Sequence, residues 1–143
     1  MAIGSTFAND LLKAVFNANN IANLLDNAAS GPITSLFIAL HTADPSAGNQ
    51  NTSEVVYTGY NRVGLARNST GWTVAGANST NANNTTFPAC AGGNNTAAFV
   101  SIGKNNTGTA GEIYYSGALA ANLTIINGIT PQFNAGNLTV TLS

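Results

Sequence analysis

The sequence predicts a mainly β protein, an antiparallel β-sandwich or jelly roll preceded by one or two N-terminal α-helices. Three observations carry this expectation. Apolar residues recur at helical spacing only ahead of Pro32. Beyond Pro32 the apolar residues fall in short segments divided by Gly, Pro and Asn. Nothing in that region is long and periodic enough for a crossover helix, so neighbouring strands are joined by turns, the connection of antiparallel sheets.

Residues 5–29 carry the helical pattern. Ser5 or Thr6 is suited to accept backbone N–H bonds of the first turn, and Asp10 lies near that positive end. Phe7, Leu11, Val15 and Phe16 form one apolar stripe, and Ile21, Leu24, Leu25 and Ala28 repeat it. Residues 17–20 (NANN) are poor helix formers, so this is one bent helix or a pair. Ser30-Gly31-Pro32 ends it, because glycine accepts the left-handed cap conformation and proline cannot continue. Such a stripe must be covered, either by the chain's own sheet beside Phe37 or by a partner. Phe7, Leu11, Leu12, Val15 and Phe16 are therefore the candidate interface residues, with the side bearing Leu12 and Phe16 expected to face another subunit.

Residues 35–41 (SLFIALH) are apolar on both alternating faces, the pattern of a strand covered on both sides, with the helices expected over one of them. A loop at 43–51 follows. Further strands are expected near 54–60, 62–67 and 71–74. Residues 78–84 read as a polar connector, and 85–87 as a short strand. Strands at 97–102, 112–116 and 123–126 come next. The final one, 137–143, places Leu138, Val140 and Leu142 inward and Thr139 and Thr141 outward. Residues 1–31 are then a helical arm and 32–143 the sandwich, in one domain spanning 1–143.

Composition narrows the function. Of 143 residues 44% are hydrophobic, enough for a core, but only 6% are charged, against about 25% in an ordinary soluble domain. Asparagine (22 residues), threonine, serine and glycine replace the charges. A net charge of −1 gives little repulsion between copies. That surface suits a subunit packed against identical neighbours. The cations Lys13, Arg62, Arg67 and Lys104 are scattered and form no phosphate-binding stripe, so no nucleic-acid partner is expected. Apolar runs fall far short of the ~20 residues a membrane-spanning helix needs, and no membrane partner is expected. No charged-then-apolar leader opens the sequence, and the lone Cys90 suits folding in a reducing cytoplasm. The Asn-x-Ser/Thr triplets at Asn68, Asn78, Asn84, Asn105, Asn122 and Asn137 read as turns and strand edges.

Residues with catalytic potential lack companions. His41 and Asp44 could form an acid–base or ligand pair. The plainer expectation is a histidine at a strand end bonded to the next turn, which Asp44 initiates before Pro45. Cys90 has no neighbouring cation to activate it. Glu54 and Glu112 look like strand-edge charges, and no Gly-x-Ser-x-Gly or Gly-Lys-Ser/Thr motif occurs. Tyr57, Tyr60, Trp72, Tyr114 and Tyr115 could make a sugar-stacking platform, or simply pack across strands. The expectation is a protein that is not an enzyme, with no catalytic residues, no cofactor and no metal.

A run of motifs adds a resemblance: FANDLL (7–12), NIANLLDNA (20–28), LHTADP (40–45), YTGYNRV (57–63), GWTV (71–74), FPAC (87–90), SGAL (116–119) and NGITPQF (127–133). In this order, over nearly the whole chain, they resemble a group of small tailed-phage virion proteins usually described as tail-fibre proteins. Proteins of that size and fold also serve as capsid cement. The resemblance implies a virion structural role and no catalytic residues. The expectation drawn from it is a capsid decoration protein, made in the bacterial cytoplasm and residing on the capsid surface. Its partners would be the major capsid protein and itself, as a dimer or trimer. The alternative is a tail-fibre or baseplate component, with host glycans as a further partner.

Overall fold

In the computed structural model the described residues are 4–21 and 33–142. They form one α-helix, α1 (Ser5–Phe16), and nine strands. The chain is mainly β, its strand pairs are antiparallel, and the helix is N-terminal, as the sequence predicts. The second half of the expected helical arm, residues 22–32, lies outside the described residues. The chain divides into two compact units interleaved in sequence. One comprises residues 1–35, 65–85 and 133–143, the other residues 36–64 and 86–132.

The first unit holds α1 and a three-stranded sheet of β3 (Trp72–Ala75), β4 (Asn78–Asn81) and β9 (Thr139–Thr141), in that order. The helix starts without a side-chain cap. Gly4 occupies the cap position, just ahead of the expected Ser5 or Thr6, and Ala8 N–H donates to its carbonyl at 2.9 Å. The asparagine stretch ends the helix. Ala18 takes a left-handed φ of 56°, turning the chain so that the N–H groups of Asn17 and Asn19 both reach the Lys13 carbonyl. Arg67 donates at 2.5 Å to each of the Val15 and Ala14 carbonyls, placing a cation on the negative helix end.

The helix is rotated from the expected stripe. Ala8, Leu12 and Phe16, one i,i+4 row, are wholly buried, whereas Phe7 is 41% exposed and Leu11 and Val15 are half-buried. The row led by the small Ala8 lets the helix approach β3 and β4. The Phe16 ring lies 4.5 Å from the buried Trp72 ring, tilted by 55°. The side bearing Leu12 and Phe16, expected to face another subunit, is instead part of the chain's own core.

Strand β4 falls where a polar connector was expected. It pairs with β3 through a two-residue turn, Gly76-Ala77, in which Gly76 has φ 59°, and with β9 on its other side. The polar sequence NSTN is tolerated because Asn81, though buried, is satisfied. Its Oδ1 accepts the Leu138 N–H at 2.9 Å, and its Nδ2 donates to the carbonyls of Asn83 (2.8 Å) and Asn134 (3.0 Å).

The larger sheet runs β2-β1-β6-β7, from β2 (Val63–Ala66) through β1 (Ser35–His41) and β6 (Asn94–Gly103) to β7 (Ile113–Ile126). Strand β1 has the boundaries its apolar pattern predicts, and Leu36, Ile38, Ala39, Leu40 and His41 are all buried. It pairs antiparallel with β6, Ala39 opposite Ser101 and His41 opposite Phe99. The strands expected at 112–116 and 123–126 are one 14-residue strand. It is irregular: Phe99 faces Ala118 but Ala97 faces Leu123, so residues 119–122 bulge opposite Ala98. The segment expected as a strand at 54–60 is not one. It contributes only a bridge from Glu54 to His41. Thr85–Thr86 (β5) pairs with Gln132–Phe133 (β8), a short strand that the sequence pattern did not mark.

Candidate functional site

The densest polar chemistry lies in the second unit, where β1 ends and the 43–62 segment returns past it. Arg62 is buried, with no exposed side-chain surface. Its Nε donates to Glu54 Oε1 at 2.7 Å and its Nη2 to Glu54 Oε2 at 2.8 Å, a two-pronged pair. Nη2 also donates to Asn51 Oδ1 at 2.6 Å. Nη1 faces the carbonyls of Asn105, Asn106 and Thr109, each at 2.9 Å. The Arg62 backbone N–H adds a bond to Thr107 Oγ1 at 2.7 Å. One guanidinium therefore ties the loop after β1 to the loop between β6 and β7.

Tyr60 completes this centre. Its hydroxyl donates to Glu54 Oε1 at 2.9 Å and accepts the Leu40 N–H at 3.1 Å. Burial, and then the Glu54 charge, push the phenol far above its usual range. The ring stacks on Phe87 at 6.2 Å and meets Tyr57 edge-on at 5.2 Å. Burial likewise pushes the Tyr57 phenol up to about 12, and its hydroxyl donates to the Pro88 carbonyl at 2.9 Å.

Gln50 makes a second tie between the same loops. It is fully buried, donates from Nε2 to the Phe37 carbonyl at 3.0 Å and accepts the Asn105 N–H at 3.0 Å. Gly103 and Gly111 leave it room: a Cβ on either would lie 2.3 Å from the Gln50 side chain.

His41 stands as the plainer expectation had it, at the end of β1 and bonded to the following loop. Nδ1 is 2.9 Å from the Thr52 carbonyl, an acceptor only, so Nδ1 carries the proton. Nε2 then accepts from Ser101 Oγ at 2.8 Å. Asp44 lies apart from it and makes the expected turn, its Oδ1 accepting the Ser46 N–H at 3.0 Å. That bond holds the Asp44 carboxyl below its usual range. The Ser101–His41 pair resembles half of a nucleophilic triad, and sequence reading missed it because sixty positions separate the two residues. Both are wholly buried, so a substrate has no approach to them. The neutral, buried imidazole joins two strands and a loop.

The remaining residues singled out from sequence are dispersed. Cys90 is buried, its Sγ 3.3 Å from the Gly92 carbonyl. Glu112 is exposed, immediately before β7. Of the five aromatics considered for a sugar platform, Trp72 and Tyr57 are buried and Tyr60 is enclosed by Tyr57, Phe87 and Glu54. These three offer no outward stacking face. Among the described residues no group of three or more His, Cys, Asp or Glu could hold a metal, and no helix is long and apolar enough to cross a membrane. Of the four cations, Arg62 and Arg67 are committed to internal carbonyls and carboxylate.

What faces outward is mostly uncharged: among the exposed described residues only Asp44, Lys104 and Glu112 carry a charge. Strand β7 ends the larger sheet, and eight of its residues are exposed. Beside its C-terminal end a shallow depression is lined by Asn94, Asn95, Thr96, Thr124 and Ile126.

These features define a class: a small antiparallel-β structural protein that uses Arg62, Glu54 and Arg67 to fix its own backbone and presents a mostly uncharged polar surface. A family model described as Podophage GP4 fiber I protein gp80 matches residues 6–141, and the chain belongs to that family of phage virion structural proteins. No curated protein matches it.

Proposed function

We propose that the chain is a fibre-type structural subunit of the phage particle that works by contact with copies of itself and its neighbours, without catalysis. The observation that carries this reading is the match to a fibre protein family over residues 6–141. The disposition of polar groups supports it. The imidazole–hydroxyl pair is sealed, and the buried ion pair is saturated with internal bonds. The outward surface is mostly amides, hydroxyls and aliphatic side chains, a chemistry suited to hydrogen-bonded contacts of low charge between repeated subunits. Partners of this kind are other virion proteins and the chain itself, with neither nucleic acid nor membrane involved.

A second reading, the capsid decoration protein that clamps major capsid subunits, is favoured by one observation. The sequence has no internal repeat or heptad of the kind that builds an elongated shaft. Labelling intact particles with antibody to the chain, together with its copy number by quantitative mass spectrometry, separates the two. The fibre reading expects label on the tail appendages and few copies per particle. Label over the head, with a copy number that follows the capsid lattice, overturns it in favour of decoration.

A further inference from the structure

Strand β7 ends in a tight turn, Ile126-Asn127-Gly128-Ile129, closed by the Ile129 N–H donating to the Ile126 carbonyl at 3.0 Å. Gly128, in the third position, has φ 89°, the value a type II turn requires there. All four residues are exposed. Asn127 is the only asparagine of the 22 that a glycine follows. An asparagine amide is open to attack by the backbone nitrogen of the next residue, and glycine has no Cβ to obstruct that approach. Among the described residues the Asn127 side chain makes no hydrogen bond. Serine is the next most permissive follower, and it stands after Asn68 and Asn78. Both of those side chains are held. Asn68 Oδ1 accepts the Thr70 N–H at 2.8 Å, and Asn78, in β4, accepts the Thr141 hydroxyl at 2.6 Å.

One contact at the turn opposes the reaction. The Gly128 N–H, on the nitrogen that would attack, donates to the Cys90 carbonyl at 2.8 Å, and the Cys90 N–H donates to the Ile129 carbonyl at 2.8 Å. Cys90 is buried, so this two-bond link fastens the exposed turn to the core. A nitrogen whose N–H is committed to a carbonyl cannot swing onto the adjacent side chain until the turn opens locally.

We infer that Asn127 is the site at which this chain deamidates, and that the bond from Gly128 to Cys90 sets the pace. The Gly128 nitrogen forms a bond to Asn127 Cγ, the Cγ–Nδ2 bond breaks, and Nδ2 leaves with the Gly128 proton as ammonia. Water then opens the cyclic imide at either carbonyl. The product is aspartate or, where the backbone is rerouted through the side chain, isoaspartate. Either one places a negative charge on an exposed turn within a stretch, Ile113 to Ser143, in which no side chain is charged. The inference goes beyond the fibre reading and holds wherever in the particle the chain resides.

The test ages the full chain at mildly alkaline pH, folded and in denaturant, and follows conversion by peptide mass mapping and by enzymatic detection of isoaspartate. Modification should appear first at Asn127, and Asn127→Gln should lose that early product. It should run at least about fivefold more slowly in the folded chain, the factor that one hydrogen bond imposes on the population free to react. Hydrogen exchange of the Gly128 amide in the folded chain should be slowed to a similar extent, because both processes need the same opening. Modification that appears first at Asn68, Asn78 or any other asparagine overturns the site. Equal rates in the folded and unfolded chain, or a Gly128 amide that exchanges as fast as an unprotected one, overturn the pacing role of the bond to Cys90.

Discussion

Arg62 meets Glu54 through two hydrogen bonds, at 2.7 and 2.8 Å, from a position with no exposed side-chain surface. The pair is more than an ion pair, because the guanidinium also holds Asn51 and three carbonyls of the loop between β6 and β7. A buried charge with all its donors satisfied is tolerable; one whose partner is removed is not.

Arg62→Ala should therefore cost about 3–5 kcal/mol in denaturant unfolding, the range for breaking a buried pair and stranding the other charge. Arg62→Lys should recover little of it, since a lysine ammonium has three donors and no planar fork to serve Glu54, Asn51 and the carbonyls together. Hydrogen exchange should rise first in residues 104–111. An Arg62→Lys protein as stable as the wild type would refute the clamp.

The pH dependence of stability should centre on His41. Burial holds its imidazole below the ordinary value of 6.5. The folded chain then binds that proton less readily than the unfolded chain. The stability His41 contributes is thus complete on the alkaline side of 6.5 and is lost as pH falls from there through the folded value. Asp44, also held below its usual value, acts in a more acid window, below 3.8. Unfolding free energies measured across these ranges should fall below 6.5 in the wild type, and His41→Gln should lose that slope. A slope kept in the variant assigns it to another group.

On the helix the two adjacent rows should respond differently. Phe16→Ala removes a ring packed at 4.5 Å on Trp72 and should cost about 3–5 kcal/mol. Phe7→Ala, at an exposed position, should change stability by about 0.5 kcal/mol or less. Equal losses at the two positions in thermal unfolding would contradict the rotation of the helix described above.

Cys90→Ser should be mild, about 1 kcal/mol, because the hydroxyl can keep the bond to the Gly92 carbonyl while losing some apolar burial. Particle assembly should continue. Loss of assembly with an unchanged melting temperature would give this thiol a role beyond packing.

Local chemistry was enough to determine the fold class and the limits of β1, and it marked the weak stretch at which α1 ends, though the helical pattern was expected to run on to residue 29. The NANN stretch is made of poor helix formers, which left one bent helix or a pair open, and SLFIALH is apolar on both faces whatever surrounds it. Turn residues also placed most of the later strands to within a few positions. The face of the helix was decided only by the tertiary structure, because the rows of Phe7 and Ala8 are both spaced i,i+4 and differ by one residue's rotation. It alone made a strand of NSTN, whose buried Asn81 needs the Asn134–Leu138 backbone before its amide is satisfied. It also merged residues 113–126 into one strand, since a ladder can tolerate a bulge that a sequence pattern reads as a break. The internal polar sites belong to the same class. Glu54 with Arg62 and His41 with Ser101 are unremarkable where they stand in the sequence. Their pairing depends on loops and strands that bring distant positions within 3 Å and then exclude water.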